Sequence, residues 1–170
     1  MERFLENTSP LVRKRVFIIL TLVMDKYSAN QMFDHKPYCL EICDTPGTET
    51  EDLPKRVEIY PGTDIVLICF SINARNSLQN VSSIWYPEIK QHLPYSPILL
   101  IATKIDLRNE GSIHTVSFEE GQQKANELNI PYLECSALTQ EGLRALWQTA
   151  AKLFVEMTKT PKKKRNCIVM

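Results

Sequence analysis

Three stretches of this chain set carboxylate, hydroxyl and ammonium groups at the ends of apolar runs. Residues 98–102 are uninterruptedly apolar and break into Thr103-Lys104-Ile105-Asp106. Asp106 can accept two N–H groups from a single flat ligand edge. Lys104 can lay its methylene stem against a ring while its ammonium stays wet. Asp44-Thr45-Pro46-Gly47 follows the run at 38–43 and places a carboxylate beside a glycine. Ser136-Ala137-Leu138 follows the run at 132–135. Singly, each has a plain explanation, since strand-terminal lysines and aspartates are usually just solvated and short motifs match by chance. Their meaning depends on whether the fold brings them together.

Short apolar runs bounded by polar turns mark strands buried on both faces, as in a parallel sheet. Residues 65–72 are a further such run, and residues 16–24 another, preceded by Arg13-Lys14-Arg15. That last run falls short of the about 20 residues a bilayer span needs. Basic residues before a short apolar run also resemble a signal peptide, but a buried strand is the favoured reading. Residues 27–33 and 38–43, joined through Asp34-His35-Lys36-Pro37, read as an antiparallel hairpin. Residues 77–92 form an amphipathic helix with Leu78, Val81, Ile84, Trp85 and Ile89 on one side, kinked or shortened by Pro87. Ser117-Phe118-Glu119-Glu120 is a capping box opening a helix to about residue 129. Leu143, Leu146, Trp147, Ala150, Leu153, Phe154 and Met157 give the last helix its core stripe. Residues 1–12 are expected to fray, and the polar residues 48–61 to be irregular and mobile. Strands alternating with helices make an α/β fold with a mostly parallel sheet. In such sheets ligands bind at the carboxyl ends of the strands, so the three polar stretches would share one rim.

Composition sets outer bounds. A chain of 170 residues, 44% hydrophobic and 24% charged, is one domain with a sizeable core. Its net charge of zero gives no global field for nucleic acid. The cysteines Cys39, Cys43, Cys69, Cys135 and Cys167 include no CxxC pair, and the first four sit in apolar runs, which suits buried reduced thiols. His35, His92 and His114 have no ligand-spaced partners, so no zinc site is expected.

The order DxxG, TKxD, SAL resembles that of small GTPases. Tyr27-Ser28-Ala29-Asn30, Cys69-Phe70-Ser71, Asp106-Leu107-Arg108 and the run from Tyr132 through Ser136-Ala137-Leu138 to Thr139 are similar to the Rho family, and most to its Rac-like members. The likeness covers roughly residues 22–170. It implies a three-layer P-loop NTPase-like fold, mostly parallel with an antiparallel hairpin. Residues 1–158 would be a single small GTPase-like domain, with 1–21 divergent. It implies GTP or GDP as ligand, contacted by Asp44, Thr45, Pro46, Gly47, Thr48, Thr103, Lys104, Asp106, Ser136, Ala137 and Leu138. In that assignment Asp106 pairs with the guanine edge, Lys104 covers the base and the Ala137 N–H meets the guanine carbonyl. Asp44 would hold Mg²⁺ through water and the Gly47 N–H would touch the γ-phosphate. Effector and regulator proteins of Rho-type signalling are the implied partners, met by residues 19–27 and 48–61.

Residues 159–170 read as a polybasic prenylated tail. Cys167-Ile168-Val169-Met170 fits C-a-a-X, with the terminal Met favouring farnesyl. One lipid chain holds a membrane weakly, and Lys162, Lys163, Lys164 and Arg165 supply a second attraction of roughly 1 kcal/mol per basic residue near an anionic leaflet. The expected location is the cytoplasmic face of a membrane, the plasma membrane foremost, with a cytosolic pool.

Against the family pattern, the chain has no glycine before Gly47 and no GK[ST] anywhere. A phosphate cradle needs glycine so that backbone N–H groups can close on the anion. Leu22 stands where the family carries a Mg²⁺-binding threonine, Thr48 where it carries a water-positioning glutamine, and Pro46 in place of alanine. The stretch from 106 to 121 is too short for the extra Rho helix. With cradle, lysine, threonine and glutamine absent, no catalytic residue is assigned, hydrolysis is expected to be very slow, nucleotide binding weak and Mg²⁺ doubtful. Residues 15–20 would form the central strand and pass straight to the rim, skipping cradle and first helix and leaving one sheet face partly bare. Two functions fit: a membrane-anchored switch with a degenerate phosphate site, or a nucleotide-independent scaffold binding effector proteins. A secreted α/β protein fits poorly with a C-a-a-X box, and an alternative product of an ordinary GTPase gene would carry the same residues.

Overall fold

The computed structural model describes residues 12–21, 25–33, 35–46, 53–110 and 115–159. Among these residues six strands form one sheet in the order β2-β3-β1-β4-β5-β6. They are β1 (Val12–Thr21), β2 (Asp25–Phe33), β3 (Lys36–Pro46), β4 (Ile65–Ser71), β5 (Ile98–Thr103) and β6 (Tyr132–Glu134). Only β2 runs antiparallel, paired with β3 from Asp25↔Asp44 to Phe33↔Lys36. The other four pairings are parallel.

The segment at 12–21, basic at its start, is therefore the central strand. It begins earlier than its apolar run, because Arg13 and Arg15 reach Glu41 on β3 and Lys14 reaches Asp64 at 2.9 Å. Those ion pairs let a charged stretch join the ladder without burying lone charge.

Helices cover both faces. On one side α1 (Leu53–Ile59), α2 (Arg75–Asn80), α3 (Tyr86–His92) and α4 (Phe118–Leu128) lie over Val66, Ile68, Phe70, Leu100 and Ala102. On the other, Leu146, Ala150 and Ala151 of α5 (Leu143–Lys159) join Val16, Leu40, Ile65, Leu67, Leu99 and Ile101. Successive residues of β4 thus feed opposite cores, which is why its sequence is apolar without alternation.

Four expectations are revised. Residues 53–59, expected to be irregular and mobile, are helical. Their fixity comes from tertiary contacts, described below, that no local pattern announces. The helix over 77–92 starts at Arg75 and runs through Pro87, with a π-helical turn at Val81–Trp85. There the Tyr86 N–H donates to Val81 O, five residues back, and the hydroxyls of Ser82 and Ser83 both donate to Gln79 O. The wide turn accommodates a proline that cannot donate, so the helix bulges and continues where Pro87 was expected to kink or shorten it. The hairpin strands are each longer than their apolar cores. Lastly, the sheet face left without a first helix is barer only in part: Val16 and Leu40 are 1% and 2% exposed because α5 shares their cluster, while Tyr27 is 57% exposed.

Candidate functional site

β1, β3, β4, β5 and β6 are parallel, so their carboxyl ends share one rim. At ~4.8 Å per strand, Asp44 on β3 and the end of β5 stand about 14 Å apart. The rim therefore has a β3 end and a β5–β6 end, and the residues expected in the site divide between them.

At the β5–β6 end the structure brings together residues that the sequence reading assigned to a base. Thr103 closes β5, its hydroxyl donating to Phe70 O at 3.0 Å. Lys104 is exposed and left-handed, with φ of 62°, which turns the chain sharply off the strand. The 3₁₀ turn Ile105–Glu110 follows, and the Ile105 N–H donates to Cys135 O at 3.4 Å. Asp106 is thereby set beside Ser136, whose hydroxyl donates to it. Ser136 is fully buried, and its Oγ also accepts the Thr139 N–H at 3.1 Å. One hydroxyl thus ties the carboxylate to the next loop while leaving the carboxylate further lone pairs for a ligand.

The loop bearing Ala137 and Leu138 is closed by Ser136 N–H donating to Glu141 O at 3.0 Å and by Gln140 Nε2 donating to Ala137 O at 2.6 Å. Gly142 makes the closure possible: its φ is +74°, and a Cβ there would lie 2.0 Å from Glu134 O. Ala137 is exposed and its N–H has no partner among the described residues; Leu138 is 81% exposed. An acceptor arriving at this loop would find an open donor.

Arg108 and Glu134 hold these parts in register, a role the motif reading did not assign. Arg108 Nη1 and Nη2 meet Glu134 Oε2 and Oε1 at 2.7 and 2.8 Å, and the Tyr132 hydroxyl donates to Oε1 at 2.6 Å. Burial alone would raise the Glu134 carboxyl, but the hydrogen bonds from Arg108 and Tyr132 outweigh it and hold the group below the usual carboxylate range. The fork-to-fork pair pins the turn bearing Asp106 onto β6, whose end bears Ser136. An Asp-Leu-Arg with a Glu two residues before the serine was the available signal.

The β3 end is differently built. Asp44 is half-buried, opposite Ile18 of β1 and Asp25 of β2. Thr45 is fully buried and its hydroxyl donates to Ile18 O at 3.0 Å, so its side chain is engaged in joining β3 to β1 rather than open to a ligand. Pro46 ends β3 in register with Thr21. Gly47 and Thr48 lie outside the described residues, as do Lys162, Lys163, Lys164, Arg165 and Cys167. Between Thr21 and Asp25 only residues 22–24 intervene. Crossing β3 from β1 to β2 spans about 10 Å at two strand spacings. Four steps of at most ~3.3–3.6 Å each suffice for that crossing.

Cys69 and Cys135 approach the same rim. Burial pushes both thiols up, so they are protonated near neutrality and bring no nucleophile. The four described cysteines are free thiols, and no group of three metal-ligating side chains occurs among the described residues. No helix among those residues is long and apolar enough to cross a membrane.

A three-layer α/β domain with a mostly parallel sheet and one antiparallel hairpin is the small GTPase fold. The model of the Ras family matches residues 15–156, and the chain belongs to that family. Domains of the family bind GTP and GDP with Mg²⁺ and signal through regulator and effector proteins.

Proposed function

We propose that this chain is a Rho-type member of the family, anchored to the cytoplasmic face of a membrane, that keeps the guanine-reading corner but lacks the triphosphate grip. The observation that carries this is the contrast between the two ends of the rim. Asp106, Ser136 and the Ala137 loop form a tied set that fits a guanine edge, with Lys104 beside them. Toward the phosphates, β1 reaches β2 through three residues, with no glycine in that stretch and no length for a cradle followed by a helix. Among the described residues, the donors present suit a base edge better than a triphosphate with its metal. Asp44 is the remaining candidate to meet Mg²⁺ through water.

Phosphoryl transfer relies on positioning and charge neutralisation by the missing parts. The proposal is therefore a very low or absent GTP hydrolysis rate. Single-turnover hydrolysis of labelled GTP by the full chain tests it: release no faster than a protein-free control is expected, and release at the rate of an ordinary small GTPase refutes it.

The Rho assignment within the family is supported by the motif runs at 27–30, 69–71, 106–108 and 132–139. Anchoring is supported by Cys167-Ile168-Val169-Met170 behind Lys162, Lys163, Lys164 and Arg165. The second reading, a scaffold whose partner binding ignores nucleotide, is favoured by one observation. Arg56 of α1 is 0% exposed and bound through Nε and Nη2 to the two carboxylate oxygens of Glu88 on α3, each at 2.9 Å. An element so held has little freedom to answer a ligand at the rim.

A further inference from the structure

Gly121 lies in the first turns of α4, buried, with its N–H donating to Ser117 O at 3.2 Å. Glycine inside a helix weakens it relative to alanine, because glycine has more backbone freedom to lose. The backbone gives no reason for a glycine at 121, since the residue is helical. Space does give one. A Cβ there would stand 2.2 Å from Oη of Tyr132 and 2.5 Å from its Cζ. The absent side chain is the room in which the Tyr132 hydroxyl sits.

Tyr132 opens β6, and Glu134, two residues on, projects from the same face of the strand. The Tyr132 ring stacks on Phe70 of β4 at 6.3 Å between centroids and meets Phe118 of α4 at 5.6 Å. The sheet and α4 therefore both hold it. From that seat the hydroxyl donates to Glu134 Oε1 at 2.6 Å, the oxygen that also accepts from Arg108 Nη2 at 2.8 Å. Burial first, and then the bond to Glu134, keep the hydroxyl protonated beyond the pH at which a tyrosine ordinarily ionises. It is thus a donor at neutral pH.

Arg108 carries the arrangement to the rim. Its Nη1 completes the fork on Glu134 Oε2 at 2.7 Å, and its Nη2 also reaches Val116 O at 3.3 Å. Val116, just before the cap of α4, is buried and its N–H donates to Ile72 O at 2.8 Å. Asp106 stands two residues before Arg108 in the same 3₁₀ turn. The start of α4, the end of β6 and the turn bearing Asp106 are therefore joined through one guanidinium–carboxylate pair. A carboxylate has about four lone-pair sites. The Tyr132 hydroxyl takes one that the fork leaves open, and so fixes how the carboxylate is rotated.

We propose that Tyr132 is a positioning residue of the guanine-reading corner, and that Gly121 is the feature of α4 that admits it. The hydroxyl sets the Glu134 carboxylate, the carboxylate sets the Arg108 fork, and the fork sets the turn that presents Asp106. The seating of α4 on the sheet thereby governs the presentation of Asp106, with neither Gly121 nor Tyr132 touching the ligand. This rests on the reading of Asp106 as the contact to a guanine edge.

The test is titration of the isotope-labelled full chain with GDP, followed by NMR, for the parent, Tyr132→Phe, Gly121→Ala and the double variant, with Asp106→Ala as control. Tyr132→Phe and Gly121→Ala should each weaken GDP binding by about two- to thirtyfold, the range for residues that act on a site without contacting its ligand. Both remove the same hydrogen bond, so the double variant should bind about as the weaker single one does, not with the product of the two losses. The Glu134 carboxyl should titrate at higher pH in both single variants, having lost a donor, with Arg108 still opposite it and Glu119 of α4 still nearby. A packing role alone would lower the urea midpoint and leave both the GDP affinity of the folded chain and the Glu134 titration unchanged, and that result would overturn the proposal. Losses that multiply in the double variant would overturn it too. Binding lost in Asp106→Ala yet unchanged in the other variants would refute the positioning role and leave the base reading standing. A parent that binds no GDP, or binds it no better than Asp106→Ala does, would overturn the base reading and this role with it.

Discussion

Asp106 and Ser136 act as a unit, and their consequences are measurable side chain by side chain. Ser136→Ala leaves a half-buried carboxylate without its hydroxyl, a loss of about 1–3 kcal/mol. Guanine-nucleotide binding should weaken by about five- to a hundredfold in consequence, read from ligand-induced shifts in NMR spectra, and unchanged shifts would show the pair to be idle. Glu134 predicts a pH dependence. Its folded-state pKa is depressed, so its contribution to stability is present at neutral pH and above its unfolded value, and is lost as pH falls through the lower folded value. Arg108→Gln should remove that acid-side loss, seen as a flatter denaturation midpoint against pH below the ordinary glutamate range. Much of this scale was legible in advance: Thr103-Lys104-Ile105-Asp106 and Ser136-Ala137-Leu138 announced a rim, and the structure ties them. Thr45 was not legible, because its hydroxyl's partner, Ile18 O, is set by a pairing register between segments 27 residues apart.

At the scale of elements, the capping and stripe signals of single helices were read correctly, while the effect of Pro87 within its helix was not. The capping box at Ser117 forms, with Glu120 N–H donating to Ser117 Oγ at 3.2 Å and Ser117 N–H to Glu120 Oε2 at 2.8 Å. The stripe from Leu143 onward became α5. What escaped was α1, seven residues long and tied by Arg56 to a partner on another helix. Arg56→Met should destabilise the domain by about 3–5 kcal/mol, because Glu88 is left largely buried without its counter-charge. Arg56→Met with Glu88→Leu should recover most of that loss, since a buried ion pair is commonly replaceable by apolar residues. Urea midpoints check both, and a single variant as stable as the parent would show that the pair does not hold α1. Gly142→Ala belongs here too. Its Cβ would collide with Glu134 O and its φ is left-handed, so a loss above about 1 kcal/mol is expected, with increased hydrogen exchange in residues 136–142.

For the whole molecule, the α/β class and the rim followed from strand–helix alternation, and the central placing of residues 15–20 followed from chain reach. Which residues shield the sheet face without a first helix did not, since α5's share of that face depends on tertiary packing. The tail makes an independent prediction: Cys167→Ser should move the protein from the membrane fraction to the cytosol, and unchanged fractionation would refute the lipid. The central claim, a base-reading corner without a triphosphate grip, is tested most directly by equilibrium titration of the full chain with fluorescent GDP and GTP, with and without Mg²⁺. The expected result is micromolar or weaker binding, alike for the two nucleotides, insensitive to Mg²⁺ and lost in Asp106→Ala. Submicromolar, Mg²⁺-dependent binding of GTP would contradict it.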